Sequence, residues 1–195
     1  MRRNVFDLLA SAVGVLMVIV LLVAGSLLMW GYSFANSNVQ SQLAQQHIVF
    51  PALGSKELAS PQIGPYLNQY AGQPLTTGAQ AAAYANHFIA VHLSEMPLGG
   101  IYSQVSTASR ADPTNAALAA EVQTSFQGTT LRGLLLEAYA FSEFGLIALY
   151  AGIAAFVLAA LMAVLVGFGL WHARRTPADE ELALTVPVDR VLVTT

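Results

Sequence analysis

An all-α membrane protein is the expected architecture of this chain: a two-transmembrane-helix hairpin carrying a small helical extracytoplasmic domain. Two apolar runs, residues 8–30 and 145–171, contain no charged side chain. At about 1.5 Å of rise per residue, each reaches about 35–40 Å as a helix, enough to cross a hydrocarbon core of about 30 Å. Between them lies a polar stretch rich in Ala, Gln, Ser and Thr, broken by proline and glycine. The expected division is a cytoplasmic N-terminus (1–7), a first span (8–30), an extracytoplasmic helical domain (31–143), a second span (144–171) and a cytoplasmic tail (172–195).

Of the 195 residues, 55% are hydrophobic and only 10% charged. Soluble domains carry about 25% charge, and the two charge-free spans contribute to the deficit. With a net charge of -3, no nucleic-acid partner is expected. With no cysteine, disulfides, thiolate metal sites and a cysteine nucleophile are excluded. The first run exceeds the 7–15 apolar residues typical of a signal peptide, so it reads as an uncleaved anchor.

Basic residues set the orientation. Arg2 and Arg3 precede the first span, and Arg174, Arg175 and Arg190 follow the second. On the opposite side, Arg132 is the only basic residue close to a span. Lys and Arg near span ends stay cytoplasmic, so both termini are expected there. Trp30, Tyr32, Phe34, Tyr139, Phe141 and Phe144 mark the outer interface and Trp171 the inner one.

Within the domain, residues 32–46 prolong the first span, and Pro51 and Gly54 open a loop. A short helix starts either at Pro61, capped by Ser60, or at Pro65, and ends by Gly72. Thr77 and Gln80 form a capping box that starts a helix running to about Glu95, where Pro97, Gly99 and Gly100 stop it. Asp112 and Pro113 cap a helix over 113–127 that Gly128 ends. Leu131, Leu134, Leu135 and Ala138 begin a long helix, 130–174, that includes the second span. The expected core is Leu43, Ile48, Phe50, Leu67, Tyr84, Phe88, Val91, Leu118, Val122 and Phe126. The tail, acidic at Asp179, Glu180 and Glu181 and then Val-rich, reads as disordered or as an extended segment that pairs with a partner.

His87, His92 and Glu95 are the candidate polar site. His92 and Glu95 share a helix face, but His87 and His92 stand about 140° apart, and zinc sites of the HExxH kind need two histidines four apart. Ordinary hydrogen-bonded histidines are the plainer reading. No nucleophile elbow or phosphate-binding glycine loop occurs. Glu137 and Glu143 lie near the outer membrane surface, where acids need no special role. No catalytic residue, cofactor or metal is assigned.

The most specific signal is a stripe of small residues in the second span: Ala148, Gly152, Ala155, Ala159, Ala163 and Gly167. Small residues let helix backbones approach in lipid, where close packing drives association. The neighbour is either the first span, which offers Ala10, Gly14, Ala24, Gly25 and Ser26, or another membrane protein.

The segment YANHFIAVHLSEMPLGGIYSQVSTASRADPTNAALAAEVQTSFQGTTLRGLLLEAYAFSEFG resembles a group of uncharacterised two-span membrane proteins of actinobacteria. Proteins of that kind sometimes carry the label aromatic ring-opening dioxygenase. Such chemistry needs an iron site of His and carboxylate ligands, which these residues do not supply. The resemblance implies a Gram-positive plasma membrane.

The expected function is non-enzymatic: an accessory or scaffold subunit docking on a larger cell-envelope complex of respiratory, secretion or lipid-transport type. The alternative is an extracytoplasmic ligand- or lipid-binding, or sensory, membrane module. An enzyme using His87, His92 or Glu95 ranks third. The expected partners are the lipid bilayer and a membrane protein or second copy.

Overall fold

The computed structural model describes residues 3–175, and among these the chain is helical with no strand. The expectations for Arg2, Arg190, the acidic run and the Val-rich tail lie outside the described residues. Seven α-helices follow in order: α1 (Arg3–Gln45), α2 (Lys56–Ala59), α3 (Gly64–Leu67), α4 (Gly78–Tyr84), α5 (Ala90–Ser94), α6 (Tyr102–Ala111) and α7 (Ala116–Arg175). Both α1 and α7 are long and apolar enough to cross a membrane. The residues fall into two compact units, one made of those up to Leu28 with those from Ala151, the other Met29–Tyr150.

The first unit is a pair of helices. On α1 the covered positions Asp7, Ser11, Gly14, Val18, Leu21, Gly25 and Leu28 alternate steps of four and three. On α7 the series is Gly152, Ala155, Ala159, Met162, Val166, Gly169 and Ala173, alternating steps of three and four. An average step of 3.5 keeps one face of each helix toward the other, as in a left-handed coiled coil. The register is antiparallel: Gly14 abuts Val166, the Phe156 ring lies against Gly25, and Ser11 Oγ lies 2.9 Å from where a Cβ on Gly169 would stand. The glycines let the two backbones approach. Outward, both helices present Leu, Val, Ile and Phe on every other side, such as Leu16, Val23, Leu158 and Leu165. A continuous apolar surface of this kind calls for a covering of lipid or protein.

The second unit is a helical head. Its core joins Val39 and Leu43 of α1 to Phe50, Leu58, Ile63, Leu67, Leu75, Ala81, Ala85 and Ile89, with Leu135 supplied by α7. The chain after α1 turns at His47, whose φ is +52°, and is clamped where Phe50 N–H donates to the Gln73 carbonyl at 2.9 Å and Leu75 N–H to the Ile48 carbonyl at 2.8 Å.

Several elements match expectation. The first helix extends to Gln45, and Thr77 and Gln80 form the capping box: Gln80 N–H donates to Thr77 Oγ1 at 3.2 Å, and Thr77 N–H to Gln80 Oε1 at 3.0 Å. Of the two starts considered for the short helix, the one with Pro65 in its first turn is formed, while Ser60 closes a turn before it.

Other expectations are corrected. Asp112 and Pro113 do not start a helix; they make a turn, and Asn115 caps α7 by accepting from Leu118 N–H at 3.2 Å. Gly128 is not a stop, for α7 runs through it. A Cβ there would stand 2.8 Å from Leu93 Cδ2, so the glycine serves close approach rather than termination. Helix α6 was not anticipated. Its buried Val105 and a loop with left-handed Leu98, Gly99 and Gly100 bring the Gly100 carbonyl to the fully buried Ser125 hydroxyl, which donates to it. Phe126, expected in the core, is exposed on α7 and rests on Tyr102 of α6.

Candidate binding groove

Within the head, α1 and α7 continue side by side and antiparallel, with Ala35 Cβ 3.2 Å from where a Cβ on Gly145 would stand. Further from that close approach they enclose a groove of about 470 Å³. Val39, Leu43 and Leu135 are buried at its base. Phe34, Leu134 and Phe141, all well exposed, form apolar walls. Asn38, Gln42, Gln46 and Glu137 supply the polar lining. The amides recur every four residues, a step that keeps them on one side of α1. Gln42 Nε2 donates to Asn38 Oδ1 at 3.0 Å, which leaves the Gln42 carbonyl oxygen as an acceptor.

The groove opens beside an exposed aromatic. Trp30, two-thirds exposed, stacks on Phe34 with ring centroids 5.7 Å apart. From Phe34 to Gln46 the groove extends about 18 Å along the helix direction.

The expected polar site does not assemble as a ligand set. The helix after the capping box contains a π-turn, Ala85–Ile89, which underwinds it locally, so His87 and His92 stand closer in azimuth than in a regular helix. Even so, they face different partners. His87 stacks flat on Tyr66 of α3, with centroids 3.6 Å apart and planes 7° from parallel. His92 donates from Nδ1 to the Phe88 carbonyl at 2.7 Å and leans on the Phe88 ring. Glu95 caps the end of α5, exposed. No group of three His, Cys, Asp or Glu side chains able to hold a metal exists among the described residues. The two acids noted at the outer surface separate: Glu137 lines the groove and Glu143 does not.

Two groups in the head are electrostatically distinctive. Burial pushes the Tyr84 hydroxyl above its ordinary pKa of 10.0; its ring is wedged between Phe50 and Phe88. The Glu57 carboxyl is held below its ordinary value, first by its own backbone N–H and then by the Ser55 hydroxyl.

The small-residue stripe divides. Gly152, Ala155 and Ala159 are buried on the face toward α1, and Ala148 is half-buried. Ala163 and Gly167 are exposed. Each step of four overshoots a full turn by about 40°, so repeated steps of four carry Ala163 and then Gly167 off the face that Ala155 holds. Met162, Val166 and Gly169 take their place. Gly167 instead borders a shallow hollow of about 350 Å³ with Val164, Phe168 and Trp171. On α1, Gly14 and Gly25 are buried and Ala24 half-buried, whereas Ala10 and Ser26 face outward.

No family model, curated protein or solved structure matches this chain.

The groove itself was not anticipated. Its apolar wall on α7 was visible as Leu131, Leu134, Leu135 and Ala138, and the matching signal on α1 is the Asn38, Gln42 and Gln46 row beside Val39 and Leu43. Neither row alone distinguishes a groove from a packed seam.

Proposed function

We propose that this chain is a membrane-anchored binding module whose head holds an apolar molecule in the groove between α1 and α7. In this reading the two long helices span a plasma membrane, both termini are cytoplasmic and the head is extracytoplasmic, as the flanking arginines favour. The groove carries the proposal. Its volume, about 470 Å³, falls within the range of ligand sites, and its lining is mostly apolar with a few polar groups.

The accessory-subunit reading keeps one support, the outward-facing Ala163 and Gly167 beside the hollow at Phe168 and Trp171. The buried part of the stripe gives it none, because those residues are occupied by the chain's own first helix.

Native mass spectrometry of the full chain in mild detergent tests the proposal. The wild type is expected to retain an apolar adduct. Leu134→Glu, which places a charge on an exposed groove wall, is expected to lose it without unfolding the head. Identical adducts on both, or none on the wild type after incubation with membrane lipid extract, would refute groove binding.

A further inference from the structure

We infer that the groove selects amphiphiles with a cationic amine head drawn from the lipid–water interface, with Glu137 as the counter-charge. This rests on the binding role proposed above and adds the chemical class of its ligand.

Among the described residues, Glu137 is the one charged side chain lining the groove. The nearest cation along α7, Arg132, is not in the lining; its guanidinium donates to Asn86 Oδ1 at 3.0 Å. Register fixes the height of the carboxylate. Ala35 faces Gly145; counting eight residues up α1 gives Leu43, and eight back along α7 gives Glu137. Gln42 therefore stands beside the level of Glu137, and Gln46 one turn above it. An ammonium group has three donors and no acceptor, matching a carboxylate flanked by amide oxygens. An anionic head would meet the same carboxylate with no cation in the lining to offset it.

The aromatic side of the groove orients the ligand. The Glu137 carboxylate lies about two and a half turns of helix beyond Phe34; Phe34 and Phe141 line the side of it toward Trp30, and Leu134 and Leu131 the side away. Phe34 in turn stacks on Trp30, an exposed ring of the type that sits at headgroup depth. An amphiphile thus has its head beside Glu137 and its tail directed back toward the aromatic end. A lone acid beside an aromatic slot that begins at the exposed Trp30 and Phe34 pair favours a membrane amphiphile over a protein segment or a second copy of the chain.

The experiment uses the full chain in uncharged maltoside micelles at neutral pH. A fluorescent long-chain alcohol is bound and displaced by an alkyl amine, alcohol or carboxylic acid of equal length. The amine is expected to displace it at about 10-fold lower concentration than the acid, the combined effect of one attraction and one repulsion at the exposed Glu137 carboxylate. Glu137→Gln is expected to narrow that gap to about 2-fold. Equal potency of amine and acid in the wild type, or a gap that survives Glu137→Gln, overturns the charge selection and leaves groove binding standing. Probe binding that Leu134→Glu does not alter, or a stable dimer that excludes the probe, overturns both.

Discussion

The Phe156 ring lies flush against Gly25: a Cβ on that glycine would stand 3.1 Å from two ring carbons. The aromatic ring fills the space the missing side chain leaves, and the neighbouring small residues Ala155 and Ala159 extend the same contact. Gly25→Leu, or Ala155→Leu with Ala159→Leu, is expected to separate the two helices at a cost of about 1–3 kcal/mol, the usual range for overpacking. Insertion should survive, because each change adds apolar surface. Ala163→Leu with Gly167→Leu should leave the pair intact. The readout is disulfide formation between Ser11→Cys and Gly169→Cys in this otherwise cysteine-free chain. Equal cross-linking in all variants would show that the seam is not where these helices meet.

Orientation gives a second prediction. Ser60→Cys and Ser109→Cys, single changes in the head, should react with an impermeant thiol reagent on intact cells. Thr176→Cys should react only after the membrane is opened. Labelling of Thr176→Cys in unbroken cells would reverse the assignment made from Arg2, Arg3, Arg174 and Arg175.

The capping box provides a third. Gln80 is buried, accepts from Thr76 N–H at 2.8 Å and from Thr77 N–H at 3.0 Å, and donates to Gln73 Oε1 at 3.3 Å. Gln80→Ala removes an acceptor from two backbone donors at the start of α4. A loss of about 1–3 kcal/mol is expected, seen as a lower thermal midpoint of the head. An unchanged midpoint would mean that water replaces the side chain at no cost.

These residues also show what the sequence could and could not reveal. The capping box is legible because its hydrogen bonds join residues three apart, and the long helices because their composition alone sets them. The continuation of α7 through Gly128 is not, since that glycine answers to Leu93, a contact distant in sequence. The stripe was legible as small residues, and the overshoot of about 40° at each step of four already carries Ala163 and Gly167 off its face; which helix covers the rest is not legible, since that contact is distant in sequence. The groove needed the antiparallel register of two helices about a hundred residues apart, which no local pattern encodes.

The histidines make a fourth prediction. His87 stacks on Tyr66 and His92 bonds to the Phe88 carbonyl, both local packing roles. Replacing both by Gln should leave the metal content of the purified chain unchanged, while loss of the rings lowers head stability by about 1–2 kcal/mol. Near-stoichiometric zinc or iron in the wild type, absent from the double variant, would point instead to ligation.

The last prediction concerns alkaline pH and follows from Tyr84. Its hydroxyl is raised above 10.0 because burial beside Phe50 and Phe88 disfavours the phenolate. In the unfolded chain the same group ionises near the ordinary value. Below pH 10 both states carry the proton and the folded state loses nothing. As pH rises past 10 the unfolded state releases its proton first and gains free energy, so the stability of the head falls until the raised folded value is passed. Tyr84→Phe keeps the ring and its stacking but cannot ionise. Helix content followed by circular dichroism through an alkaline titration should therefore persist to higher pH in Tyr84→Phe than in the wild type. Wild-type phenolate absorbance from this residue should appear together with unfolding rather than ahead of it. Identical alkaline midpoints for the two chains would show that Tyr84 ionises in place, without the burial that its aromatic neighbours are expected to impose.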